Sequence, residues 1–345
     1  MSIPVGVATA WRGDIPVYLD GLGSVTALYT TTVRTRVDGQ LMGIYYREGQ
    51  QVTAGDLIAE IDPRPFQVQL EQAEGQMARD QALLANARLD LERYRTLVTQ
   101  DAIPTQVLDT QVATVRQAEA TIKTDQAAID NAKLQLVYCR ITAPISGVIG
   151  LRQVDPGNIV HAIDSTGLVV ITQVQPITVV FTLPEDSLPA VVGKLRAGAR
   201  LAVEAYNRDK SRKLASGHLL AIDNAIDTST GTLRLKAEFE NRNSSLFPNQ
   251  FVNVRLLVET MHDQVIVPSA SVQRGSQGTY LYVVKHDSTV EFRLVTPGVT
   301  EGTDTSITKG LQEGEIVVTD GTDKLQPGSM VASKPEPTRR SPISK

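Results

Sequence analysis

Two stretches far apart in this chain share one pattern at a constant displacement. "VDGQLMGIYYREGQQVTAGDLI" covers residues 37–58, and "ISGVIGLRQVDPGNIVHAIDSTGLV" begins at Ile145. Shifted by 108 positions without a gap, Gly39 falls on Gly147, Leu41 on Ile149, Gly49 on Gly157, Val52 on Val160 and Asp56 on Asp164. The alternation over 40–46, the turn signal at Glu48-Gly49-Gln50 and apolar Leu57, Ile58 and Ile61 read as short strands joined by glycine turns. Gly39, Gly49, Gly147 and Gly157 are expected at turn positions where a β-carbon is penalised. The repeat therefore reads as two halves of one small β-module, written some seventy residues apart.

What separates the halves has a different grammar. From Phe66 to Val137 the only glycine is Gly75 and the only proline is Pro104. Leu70, Met77, Leu84, Leu91 and Val98 fall seven apart, with Ala73, Ala87 and Tyr94 three residues after members of that series. Past Pro104 a second series runs Leu108, Val115, Ile122, Ile129, Leu136. Two heptad tracks around the break "QDAIPT" predict an antiparallel helical hairpin of coiled-coil type. Each arm of some thirty-odd residues would reach roughly 50 Å at ~1.5 Å per residue, so the hairpin is expected to project.

Elsewhere strands dominate. "IPVYLDGLGSVTAL" is β-like, with Gly21 and Gly23 read as turn residues. "PITVVFTLPEDSLPAVVGKLRAGARLAVEAYN" predicts strand, helix, strand, with the short helix over 186–194. "GHLLAIDNAIDTSTGTLRLKAEFEN" and "LFPNQFVNVRLLV" continue as strands of a barrel or sandwich, and Asn249 is expected to tolerate a left-handed turn position. The closing "SKPEPTRRSPISK" has the composition of a disordered tail.

Bulk properties exclude several functions. A net charge of −4 over 345 residues, with no Lys/Arg block among aromatics, argues against nucleic acid. The single cysteine, Cys139, cannot form an internal disulfide and reads as a small buried apolar residue. No run of eighteen apolar residues and no signal-peptide pattern is found. His161, His218, His262 and His286 are scattered, the five methionines do not cluster, and no Walker A motif or nucleophile elbow occurs. No catalytic residue, cofactor or metal is expected.

The two glycine-marked halves resemble those of a lipoyl/biotinyl-type domain, whose quasi-two-fold symmetry makes each half bury the apolar side of the other. A lipoyl-like domain split by a coiled-coil hairpin and followed by a β-barrel is similar to the periplasmic adaptors, or membrane fusion proteins, of the HlyD/AcrA family. "RVDGQL", "EGQQVTAGDLIAEIDP", "RITAP", "VFTLPE", "AIDNAIDTSTGTLRLKAEFEN" and "LFPNQFVNVRL" resemble the adaptors of resistance-nodulation-division (RND) tripartite multidrug efflux pumps, and the likeness runs from about Ile15 to Val331. It implies a mainly β, elongated modular chain with a long α-helical hairpin. The expected domains are an antiparallel hairpin at 66–138, a split lipoyl/biotinyl-like domain at 36–65 and 139–171, and a β-barrel at 28–35 and 172–262. A membrane-proximal β-domain at 1–27 and 263–331 and a disordered tail at 332–345 complete them.

The resemblance implies a non-enzymatic adaptor at the inner membrane of a Gram-negative periplasm. Its implied partners are an inner-membrane, proton-driven RND transporter, a TolC-type outer-membrane channel, and further copies of itself in a ring, a hexamer in the assembled pump. The family's hairpin tip carries an arginine, a leucine four residues on and a serine seven beyond. Arg93 and Leu97 match the first two; Pro104 stands at the serine position with Thr105 beside it. Arg93 also reads as an ordinary solvated helix residue. Two alternatives remain at this point. One is an adaptor of an ABC exporter or type I secretion system. The other is a lipoyl or biotin carrier, which needs a lysine at an exposed turn, whereas Lys123 and Lys133 lie inside the second heptad track.

Overall fold

The computed structural model describes residues 2–335. The chain divides into two compact units, residues 27–175 and residues 1–26 with 176–345.

The first unit contains the repeat and its insertion. One four-stranded sheet runs in the order Thr30–Val33, Val169–Thr172, Gly147–Ile149, Gln51–Val52. The other runs Arg140–Thr142, Leu57–Ile61, Gly39–Ile44, Ile159–Val160. Each sheet thus mixes strands of both halves, and each half completes the other's ladder. Backbone bonds repeat the displacement: Gly49 N–H donates to Ile149 O (3.0 Å) while Gly157 N–H donates to Leu41 O (2.7 Å). Likewise Ile149 N–H donates to Gln50 O and Leu41 N–H to Asn158 O, both at 2.9 Å. Asp56 accepts from Thr53 N–H (2.8 Å) as Asp164 accepts from His161 N–H (2.9 Å), the same side-chain turn closed twice. Leu41, Ile58, Ile61, Ile149, Val169 and Ile171 fill the core between the sheets.

Of the four repeat glycines, Gly49 (φ +77°) and Gly157 (φ +95°) hold the turns. Gly39 and Gly147 do not: both begin strands where another chain segment passes too close for a side chain. Gly21 and Gly23, expected at turns, also lie within one continuous strand, Trp11–Ala27. A β-carbon at Gly21 would sit 2.5 Å from Thr182 O, so it is crowding rather than turning that excludes larger residues there.

The insertion forms two helices, α1 (Arg64–Thr99) and α2 (Thr105–Cys139). Pro63 and Pro104 occupy their N-cap positions, where a missing N–H costs nothing. The arms begin and end one or two residues outside the expected 66–138. Leu84, Leu91 and Val115 are buried between them, with Ala87, Leu108, Val112, Ala118 and Ile122 packed alongside. Arg88 pairs with Glu119 across the arms (2.7 Å), and Gln111 Nε2 donates to Ala87 O (2.8 Å). Cys139, at the end of α2, is buried in the sandwich core.

In the second unit the strand order Ala202–Tyr206, Lys213–Asp227, Thr232–Phe239, Ile177–Pro184, Trp11–Ala27, Phe251–Pro268 closes because Ala202–Tyr206 also pairs with Phe251–Pro268. The result is a six-stranded barrel around Phe181, Phe239, Leu235 and Leu256. This corrects one expected boundary. Residues 28–35 do not enter the barrel, because Thr30–Val33 is hydrogen-bonded to Val169–Thr172 and Val33 is buried in the sandwich. The N-terminal strand Trp11–Ala27 supplies the barrel stave instead. The short helix α3 spans Leu188–Arg196, later than expected, since Pro189 fits only its first turn; Glu185–Ser187 forms a 3₁₀ turn before it.

A second sheet of this unit follows the order Gln273–Gly275, Gly278–Val284, Ile316–Asp320, Ile3–Thr9, Val331–Pro335. Residues 332–335, expected in the tail, extend the strand that pairs parallel with Ile3–Thr9, whose edge would otherwise leave its N–H and C=O groups unpaired. The remainder of the expected tail, 336–345, lies outside the described residues.

Candidate functional site

The turn of the hairpin is built by three local devices. Asp101 adopts φ +51°, one of few left-handed non-glycine residues, which reverses the chain after α1. Ala102 N–H donates to Leu97 O (2.9 Å) and Asp101 N–H to Val98 O (3.0 Å), so the last carbonyls of α1 are satisfied. Pro104, extended at ψ 144°, then opens α2.

The four sequence-selected residues converge on this end of the hairpin. Arg93 lies six residues before the end of α1, its side chain 73% exposed and paired with Asp90 at 3.1 Å. Leu97, one turn further on, is half-buried against the turn. Pro104 and Thr105 are both exposed at the start of α2. The Arg93 guanidinium, tied to Asp90 by one nitrogen, keeps donors free to aim at a partner. A half-buried apolar side chain flanked by an exposed arginine, hydroxyl and proline can contact a surface; it holds no group positioned for acid–base or nucleophilic work.

His262 Nδ1 lies 2.8 Å from Asp14, whose carboxyl this bond holds below its ordinary range. His161 lies near Asp38, and His218 lies near Arg200. Among the described residues no three potential ligands converge on a metal position. A hollow lined by Arg34, His161, Asp164 and Leu168 encloses about 50 Å³, far below the ~300 Å³ of a small-molecule site. Among the described residues no helix is long and apolar enough to cross a membrane.

Comparison with known proteins agrees with this division of the chain. Residues 29–172 match the barrel-sandwich hybrid domain of RND membrane fusion proteins, residues 176–260 their β-barrel domain, and residues 263–324 their C-terminal permuted SH3 domain. The chain belongs to the RND membrane fusion proteins, the non-enzymatic adaptors of RND multidrug efflux. It is 50% identical to the multidrug resistance protein MdtA of Cronobacter turicensis over 98% of this chain and 84% of that protein. It is 52% identical to the MdtA of Yersinia enterocolitica over 95% of this chain and 75% of that one. In fold it is similar to MacA from Actinobacillus actinomycetemcomitans, with a TM-score of 0.57 at 22% identity, over 91% of this chain and 99% of that one.

Sequence reasoning selected residues that fall at the end of the hairpin but passed over a pair of acids in its seam, Asp80 and Asp125. Asp80 falls on the seven-residue period of Ala73, Ala87 and Tyr94, and Asp125 falls on that of Ala118 and Ala132 on the other arm.

Proposed function

We propose that this chain is a periplasmic adaptor, held at the inner membrane, that links a proton-driven RND transporter to a TolC-type outer-membrane channel. The observation that carries the reading is the hairpin itself, a pair of 36- and 35-residue helices inserted in a two-fold β-module and ending in exposed Arg93, Pro104 and Thr105 around a half-buried Leu97. Helices of that length reach roughly 50 Å. The barrel and the sheet of the second unit would bind the transporter; the tip would bind the channel. Thr105 takes the place of the family's tip serine as hydroxyl donor.

One tip is too small for a firm interface, since specific interfaces bury on the order of 800 Å² per partner. A ring, a hexamer in the assembled pump, makes many weak tip contacts act together. Drug-susceptibility assays in a strain deleted for the native adaptor test the reading. Leu97→Asp or Arg93→Asp should abolish the resistance that the pump confers while the protein remains folded and abundant. Unchanged resistance with either variant contradicts the tip assignment.

A further inference from the structure

Along the hairpin seam, apolar residues give way at one level to acids. Asp80 occupies the position between Ala73 and Ala87 on α1, and Asp125 that between Ala118 and Ala132 on α2. Both are buried, at 6% and 9% exposure, although neither belongs to a partner-binding surface. Gln76, one turn earlier on α1, donates its Nε2–H to Asp80 at 2.8 Å, and Arg79 donates its Nε–H at 3.1 Å. Asp125 has no such help: its Oδ2 is enclosed without a protein donor. Asp80 lies about two turns before Arg88 and Asp125 about two turns after Glu119, the pair that bridges the arms, so the two buried carboxyls stand at one level of the seam and each acts on the other.

Ionised carboxylates accept hydrogen bonds and donate none, so two of them can bond only through a proton carried by one. The surroundings decide which. Arg79, and after it Gln76, favour the charged form of Asp80 and hold it below the ordinary carboxylate range. Burial, and then the charge of Asp80, push Asp125 up; the Arg79 charge opposes this weakly, from a side chain 65% exposed. The charged groups acting on Asp125 are thus Asp80 and Arg79, both from α1. Asp80 is the resident anion and Asp125 the resident acid, a division of roles that environment alone can impose on paired carboxyls.

We propose that Asp80 and Asp125 form a proton-sharing latch across the two arms, closed when Asp125 carries its proton and donates it to Asp80, and loosened when two buried anions face each other in the seam. The sign follows from linkage. Closed arms bind this proton more tightly than separated ones, so acid favours closure. The advantage is complete below the ordinary aspartate value and is lost as pH rises through the raised value of Asp125. Nineteen residues separate Asp80 from the end of α1 at Thr99, so the latch acts about 28 Å short of the turn. It concerns the hairpin alone and stands whichever partner the tip engages.

Hydrogen–deuterium exchange on the whole chain tests it, corrected for the intrinsic pH dependence of exchange and read from peptides covering 77–87 and 118–129. In the unmutated chain protection should fall as pH rises above the ordinary aspartate range, by up to about tenfold per pH unit, the limit for one proton. Asp125→Asn keeps a donor at every pH, so its protection should be flat and at least equal to the acid level of the unmutated chain. Asp80→Asn removes the repulsion but leaves Asp125 buried, so its profile should be shallower than that of the unmutated chain without becoming flat. A flat profile in the unmutated chain, or a slope retained in Asp125→Asn, overturns the latch. Should a variant fail to fold, infrared spectra of the unmutated chain carrying carbon-13 aspartate supply the readout. A protonated carboxyl band persisting well above the ordinary aspartate range supports the latch, and its absence overturns it.

Discussion

A β-carbon placed on Gly147 would lie 2.6 Å from the carbonyl oxygen of Thr172, and one on Gly39 would lie 2.6 Å from Ile61 Cγ2. Around Gly49 nothing comes within 4 Å, yet its φ is +77°. Alanine at these positions should therefore fail for different reasons. Gly147→Ala must push two strands apart and should cost about 2–3 kcal/mol; Gly49→Ala pays only left-handed strain, about 1–2 kcal/mol. Urea unfolding of the two variants checks the order. Only half of this was legible in the sequence. Turn glycines announce themselves through neighbours such as Glu48 and Gln50, but close approach is a tertiary property. Gly21, Gly23, Gly39 and Gly147 thus looked like turns when they are points where another segment passes. A second single-residue test concerns Arg255. Its Nη2 donates to both Glu301 carboxylate oxygens (2.7 and 2.6 Å), its Nε donates to Asp20 (3.2 Å), and the guanidinium lies 4.0 Å above the Tyr18 ring. Arg255→Ala should destabilise this unit by about 2 kcal/mol, as for other charged hydrogen bonds, and lysine should restore only part because its single ammonium cannot serve Glu301 and Asp20 from two fixed nitrogens. Thermal melting followed by circular dichroism measures both.

Among the elements, the hairpin draws its stability from a narrow seam. Leu84 and Leu91 are buried between the arms whereas Leu89, on the outer face, is 59% exposed. Leu84→Ala or Leu91→Ala should lower helix stability by about 2–3 kcal/mol, and Leu89→Ala by less than about 0.5 kcal/mol, in far-UV melting. The heptads were plain in the sequence because seven-residue spacing is a local statement about one helix. Asp80 and Asp125 escaped notice because an acid that interrupts an apolar series reads as surface until its partner on the other arm is seen. The β-module allows an independent test of modularity. Its halves exchange ladder bonds directly, Gly39 with Val160 and Val52 with Gly147. Excising residues 67–136 and closing the gap with a short turn should leave the β-sheet circular dichroism of the module intact; its loss would mean that the halves need the hairpin to pair.

Taken whole, the chain spends its residues on spacing and attachment. It places a two-fold β-module, a six-stranded barrel and a terminal sheet along one sequence, and the helical hairpin is inserted between the two halves of the β-module. The 108-residue displacement made that insertion visible before any coordinates, since each half carries its own turn glycine and its own aspartate-closed turn. The assignment of Thr30–Val33 to the module and of Trp11–Ala27 to the barrel was not visible, because a strand's sequence records its period but not its neighbour. The central claim is that the end of the hairpin meets an outer-membrane channel. In-cell photocrosslinking from a photoreactive residue substituted at Leu97 tests it most directly. The account predicts an adduct with an outer-membrane channel, lost when Arg93→Asp is introduced alongside. An adduct only with proteins of other compartments, or none while the adaptor is abundant, would contradict it.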